Sequence, residues 1–192
     1  MTSPGQPVRV AVLVSGGGTN LQALLDAFHD SPIVRIARVI SNRPDAGALA
    51  RARTAGVPTT VLRDATDPAE LHAALADAQL VVLAGYLKLV DPSVVARFRG
   101  RMINIHPALL PDFGGAGMYG HRVHEAVLAG GAKESGPTVH FVDEAVDRGA
   151  IIAQERVPVK AGDTPETLAA RVLEAEHRLL PRVVLELARQ LQ

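Results

Sequence analysis

Two apolar runs constrain this chain most. Val8-Arg9-Val10-Ala11-Val12-Leu13-Val14 is rich in β-branched residues, and Leu80-Val81-Val82-Leu83-Ala84 has no polar residue at all. A strand with one wet face alternates apolar and polar side chains, whereas one covered on both faces does not. Both runs therefore read as interior strands of a parallel sheet. Around them the period changes. Leu21, Leu24, Leu25 and Phe28 recur at helical spacing, Val34 to Ile40 reads as a strand, and Asp45 to Ala55 as a helix. Pro58 to Leu62 is a short strand and Pro68 to Ala78 a further helix. Alternation of this kind predicts an α/β fold whose N-terminal half is Rossmann-like, with helices on both faces of parallel strands.

The second half reads differently. Met102 to His106 is a strand, Pro107 to Gly120 is rich in glycine and proline, and a helix runs from His121 to about Leu128. Thr138 to Val142 and Ala150 to Val157 are strands joined by the turn-rich Asp143 to Gly149, so an antiparallel pair and a mixed sheet are expected. The closing helix has Thr164 as N-cap, Pro165 in its first turn, and Leu168, Val172, Ala175 and Leu179 as its buried stripe. No repeat or linker divides the chain. One domain over residues 1–192 is expected, with halves of about 8–100 and 101–192.

Composition removes several classes of function. The 192 residues carry 20 basic and 20 acidic side chains, so the basic excess of a nucleic-acid or membrane-surface protein is missing. There is no cysteine, which excludes disulfides, thiolate metal sites and cysteine nucleophiles. Met1 to Pro7 is small and polar, unlike a secretory signal, and no apolar run approaches a membrane span, so a cytoplasmic protein is expected. No histidine pair has a strong metal-ligand spacing, and no metal is predicted.

Three segments can carry chemistry. Ser15-Gly16-Gly17-Gly18-Thr19-Asn20-Leu21 joins the first strand to the first helix. Backbone N–H groups at a helix start, cleared of side chains by glycine, bind anions. No Gly-Lys-Ser/Thr follows, Leu21 stands where a dinucleotide fingerprint has its third glycine, and the second strand ends in Ser41-Asn42 without an acid. A phosphomonoester therefore fits better than a dinucleotide. In the strand 102–106, residues two apart share a face, so Ile103 and Ile105 point to the core while Asn104 and His106 stand together. An amide and an imidazole side by side can both donate to one developing oxyanion. The turn from Asp143 to Gly149 offers Asp143, Glu144 and Asp147 as carboxylates to orient the imidazole, and local pattern does not choose among them. His29 and His72 read as solvated, His121 and His124 as bordering the glycine-rich loop, and His140 as facing either a cleft or the core.

Ser15 to Gln22, Leu83 to Tyr86, Asn104 to Pro111 and Gly136 to Val142, taken in order, resemble the phosphoribosylglycinamide formyltransferases, folate-dependent enzymes of purine synthesis. The resemblance covers nearly the whole chain, including Arg171-Val172 and Glu176-His177 in the final helix. It implies a formyltransferase fold and selects Asn104, His106 and Asp147 as the catalytic set. It places the phosphate of glycinamide ribonucleotide on Gly18, Thr19 and Asn20, and Glu176 beside the ribose and glycinamide. It lays the folate pterin along Leu87, Lys88, Leu89 and Val90, with Asn104 also touching the folate. The implied co-substrate is 10-formyltetrahydrofolate, without a metal, and the resemblance allows a homodimer. Departures from the family pattern include Pro111 to Gly120, which lacks the more common Pro-Gly pair, and Leu173 and Arg148-Gly149-Ala150 in place of the usual residues.

The implied reaction is direct attack of an amine on the formyl carbon. Asn104 and a protonated His106 would hold the tetrahedral oxyanion, and Asp147 would keep His106 charged. The rival readings are a formyltetrahydrofolate hydrolase, a formyltransferase acting on charged tRNA, and a non-catalytic phosphate- or nucleotide-binding module. The first two are expected to need an additional domain that this length does not provide.

Overall fold

The computed structural model describes residues 5–192; residues 1–4, part of the polar N-terminal stretch, lie outside the described residues. The chain runs β1 (Val8–Val14), α1 (Thr19–Phe28), β2 (Val34–Ser41), α2 (Gly47–Thr54), β3 (Thr59–Val61), α3 (Pro68–Ala74) and β4 (Leu80–Leu83). It continues through α4 (Pro92–Arg97), β5 (Met102–His106), α5 (His121–Ala129), β6 (Glu134–Ser135), β7 (Thr138–Phe141), β8 (Ile151–Gln154), β9 (Val157–Pro158) and α6 (Pro165–Gln190).

Seven strands form one sheet in the order β3-β2-β1-β4-β5-β7-β8. Neighbours from β3 to β5 pair in parallel, while β7 lies antiparallel to β5 and β8 antiparallel to β7. The two apolar runs occupy the interior as their pattern requires. All of β4, and all of β1 except Arg9, is buried. Val10, Val12 and Val14 pack under α1, α2 and the C-terminal half of α6. Ala11 and Leu13, one residue out of phase, pack on the other face under α3 and α4. A third cluster joins Val123 and Val127 of α5 to Leu168, Val172 and Ala175 at the start of α6. The predicted stripe of the closing helix is thus buried, but it serves two cores in succession.

After β1 the chain moves outward to β2 and β3, then crosses back to β4 on the other side of β1. Such a reversal opens a crevice beyond the C-terminal ends of the two central strands, where ligands bind in open α/β sheets. The glycine turn follows β1 and Gly85 to Val90 follows β4. Their backbones meet, with Ser15 N–H donating to the Gly85 carbonyl at 3.0 Å. The Ser15 hydroxyl donates to Asn42 Oδ1 at 2.6 Å and accepts from the Leu87 N–H at 2.8 Å.

The sequence expectations change in four places. Helix α4 was missed, although Asp91 caps it by accepting from the Ser93 N–H and Pro92 opens it. The strand expected from Ala150 to Val157 is interrupted. Its first part forms β8, and Val157–Pro158 leaves the sheet to pair antiparallel with Glu134–Ser135. The helix expected over Pro68 to Ala78 ends at Ala74. His72, expected to be solvated, is half-buried and lies 3.1 Å from the Ser93 hydroxyl of α4.

Candidate active site

At the glycine turn, Gly18 is the residue that permits the geometry. Its φ of 76° is left-handed, and a Cβ there would stand 2.5 Å from the Ala48 Cβ. Gly18 is also the N-cap of α1, and no side chain caps this end. The hydroxyl of Thr19 does not close the turn as a cap, so the first-turn N–H groups keep their capacity for an anion. Arg51 brings a guanidinium alongside, its Nε donating to the Gly17 carbonyl at 2.8 Å. Nothing in the local pattern marked Arg51; it reaches the turn from α2.

Asn20 and Glu176 lie 156 residues apart and meet here. Asn20 Nδ2 donates to Glu176 Oε2 at 2.5 Å. Glu176 is 6% exposed, and burial raises its carboxyl to about 7 against the pull of the Asn20 amide. Asn20 Oδ1 is buried without a hydrogen-bond partner. Leu87 and Leu89 beyond β4 are exposed, an apolar wall beside the same crevice, with Lys88 exposed and Val90 half-buried.

Strand β5 presents Asn104 and His106 on the face opposite Ile103 and Ile105, as period two requires. The loop that follows is anchored by Thr138, whose hydroxyl donates to the Ala108 carbonyl at 2.7 Å and accepts from the Leu110 N–H at 3.0 Å. Gln154 Nε2 donates to the Leu110 carbonyl at 2.9 Å. Of the three candidate acids, Asp143 and Glu144 are exposed, and Asp143 accepts from the Ala145 N–H of its own turn. Asp147 turns inward. Its φ of 56° is a left-handed conformation that aspartate tolerates better than most residues. Its Oδ2 lies 3.5 Å from His106 Nδ1 and its Oδ1 lies 3.5 Å from His140 Nε2.

His140 therefore belongs to the cluster. Asn104 pairs directly with His140 across the β5–β7 ladder, and the Asn104 amide nitrogen lies 3.1 Å from His140 Nε2. The Nδ1–H of His140 donates to the Phe141 carbonyl at 2.8 Å. The alternation Val139-His140-Phe141 allowed this position, but only the antiparallel register puts it opposite Asn104.

The loop closes over the same groups. His106 Nε2–H donates to the Phe113 carbonyl at 2.8 Å, and the Gly115 N–H donates to Asp147 Oδ2 at 2.9 Å. Phe113 holds a φ of 53°, which costs a bulky residue about 1–2 kcal/mol. Burial lowers the His106 pKa and prevails over Asp147 and the Phe113 carbonyl, which work to raise it, while His140 adds to the lowering. Burial in this loop position thus works against the charged His106 expected from the sequence. Burial works to raise the Asp147 carboxyl, but the hydrogen bonds from His140 and the Gly115 N–H, with the charges of His106 and His140, carry it below its ordinary value. Behind this cluster His124 is buried in α5, and burial, then His121 and His106, lowers its pKa. No group of three or more histidine, cysteine, aspartate or glutamate side chains among the described residues has metal-binding geometry.

The family model described as formyl transferase matches residues 8–184. The chain belongs to the formyl transferase family. Within that family, it is 45% identical over 186 residues to the chloroplastic phosphoribosylglycinamide formyltransferase of Arabidopsis thaliana, covering 92% of this chain and 64% of the relative. It is 41% identical to the phosphoribosylglycinamide formyltransferase of Haemophilus influenzae, over 92% of this chain and 85% of the relative. The chain thus spans less of the plant relative than of the bacterial one. The crystal structure of glycinamide ribonucleotide transformylase 1 from Symbiobacterium toebii superposes with a TM-score of 0.91 at 42% identity, covering 99% of this chain and 92% of that one. The α/β fold with a mixed seven-stranded sheet is the fold of these family members.

Proposed function

We propose that the chain transfers the formyl group of 10-formyltetrahydrofolate to the amine of glycinamide ribonucleotide. The observation that carries this reading is the convergence of Asn104, His106, Asp147 and His140 beside the crevice that also holds the glycine turn and Glu176. The open N–H groups at Gly18, Thr19 and Asn20 suit a phosphate, and Glu176 with the unpartnered Asn20 Oδ1 suits the hydroxyl and amine donors of the ribose and glycinamide. The exposed segment Leu87, Lys88, Leu89 and Val90 suits the pterin, with apolar side chains against the ring and backbone for its polar edge. Relatives named for this reaction support the choice of acceptor.

In this mechanism the amine attacks the formyl carbon and the carbonyl oxygen gains the charge. Asn104 donates to that oxygen. Once the Phe113 carbonyl has left, neutral His106, as its burial favours, carries its one proton on Nδ1 toward Asp147, takes the amine proton on Nε2 and becomes an imidazolium. Asp147, an ionised carboxylate beside its Nδ1, stabilises that charge. The proton then passes to the departing folate nitrogen. Before this can occur, the Phe113 carbonyl leaves His106 Nε2, so the loop moves in each catalytic cycle. Holding both substrates in one crevice removes the entropy cost of their meeting.

The test mixes the protein with 10-formyltetrahydrofolate, with and without glycinamide ribonucleotide, and follows the deformylated folate. Release that requires the acceptor supports transfer. Release without it indicates a hydrolase, and no release in either mixture sinks the catalytic reading.

A further inference from the structure

We infer that the face of β1 and β2 toward their N-terminal ends, away from the crevice, carries a second anion site, built by Arg9, Arg35 and Arg38, that takes a small oligophosphate. Arg9 and Arg35 are register partners on adjacent parallel strands, so their side chains rise side by side from one face. A β-bulge after Val10 shifts the register and sets Arg38 opposite Ala11, on that same face. The three border a cavity of about 320 Å³ whose other walls are mostly alanines, including Ala37, Ala74 and Ala78. Small side chains there leave the guanidinium groups room to converge.

Charge strengthens the case. Like charges on directly paired strand positions repel, and a bound anion relieves the repulsion. Asp77 is the only acid on the cavity wall, so the lining carries a net charge of +2 from three arginines and one aspartate. Among the described residues, the arginine ion pairs involve Arg43, Arg63, Arg156, Arg171 and Arg178, and none of the three. Arg9 Nε donates to the Asp77 carbonyl at 2.7 Å and Arg38 Nη1 to the Thr60 hydroxyl at 3.0 Å, which orients two of the forks and leaves their other N–H groups available. Guanidinium forks match phosphoryl oxygens in pairs, and three of them fit two linked phosphoryl groups better than one. The site is distinct from the glycine turn. Arg9 lies at the start of β1 and Ser15 just past its end, about 20 Å apart at the rise of a strand.

Titrating inorganic pyrophosphate into the ¹⁵N-labelled chain at low salt tests this. The expected result is saturable amide shifts at Ala11, Ala37, Ala74 and Ala78, whatever happens at Gly18 to Asn20. Arg35→Ala combined with Arg38→Ala should weaken that binding roughly a hundredfold, since each charged bond is worth roughly tenfold or more. Both residues are surface-facing, and an otherwise unchanged amide spectrum checks the fold. Orthophosphate should bind the same amides more weakly than pyrophosphate. Shifts confined to the glycine turn, retention of the alanine shifts in the double variant, or equal affinity for the two anions would each overturn the proposal.

Discussion

Replacing Glu176 by glutamine isolates the energetics of one buried carboxyl. In the folded chain its pKa is about 7, against an ordinary 4.5. A raised acid binds its proton more tightly when folded. Its contribution is therefore fully present below the unfolded pKa, and it fades as pH rises from about 4.5 to about 7. The rise from 4.5 to about 7 corresponds to about 3 kcal/mol of stability lost between pH 4 and pH 8. Glutamine keeps the shape and an oxygen for the Asn20 amide but cannot ionise, so the variant should not lose this increment. At about 2–4 °C per kcal/mol for a chain of this size, Glu176→Gln should melt roughly 6–12 °C above the wild type at pH 8 and close to it at pH 4. Thermal unfolding of both proteins across that range is the assay, and the difference between their curves removes the other titrating groups. A difference that stays constant with pH would refute the buried, proton-binding carboxyl. If the proposed acceptor binds there, the same variant should also raise its KM.

Removing the oxyanion donor by Asn104→Ala, or the proton carrier by His106→Ala, should lower kcat by ~10²–10³ with the fold intact, checked by steady-state kinetics beside circular dichroism. Asp147→Asn deletes a charge that opposes burial at His106, so the His106 pKa, followed by ring-proton NMR, should fall further; an unchanged or higher value would contradict the ion-pair geometry. Gly18→Ala places a Cβ 2.5 Å from Ala48 in a left-handed residue and should cost more than about 1 kcal/mol by denaturant melt while weakening acceptor binding. Phe113→Gly relieves the left-handed strain, and hydrogen exchange should show whether the Gly115 to Gly120 backbone changes protection as the loop redistributes between positions.

Much of the fold could be read from periodicity. Val8–Val14 and Leu80–Leu83 declared interior strands because both faces needed cover, and Leu168, Val172, Ala175 and Leu179 declared the buried side of α6. The six-residue α4 escaped because two buried valines are too few to establish a helical period, although its Asp-Pro start was visible. Asn104 and His106 were legible as a pair because strand alternation is local. Asp147 was not separable from Asp143 and Glu144 by local pattern, because its left-handed turn and its two imidazole neighbours are tertiary facts; resemblance supplied it. His140 needed the register of β5 with β7. The lowered pKa of His106 needed the tertiary structure, since the burial that lowers it is not written beside it in the chain.

The fate of the formyl carbon tests the central claim most directly. With 10-[¹³C]formyltetrahydrofolate and glycinamide ribonucleotide, the account predicts label in the new formamide of the acceptor, one equivalent for each folate deformylated, with loss of that signal in the Asn104→Ala and His106→Ala variants. Label recovered as free formate, or label on the acceptor at an undiminished rate in those variants, would contradict it.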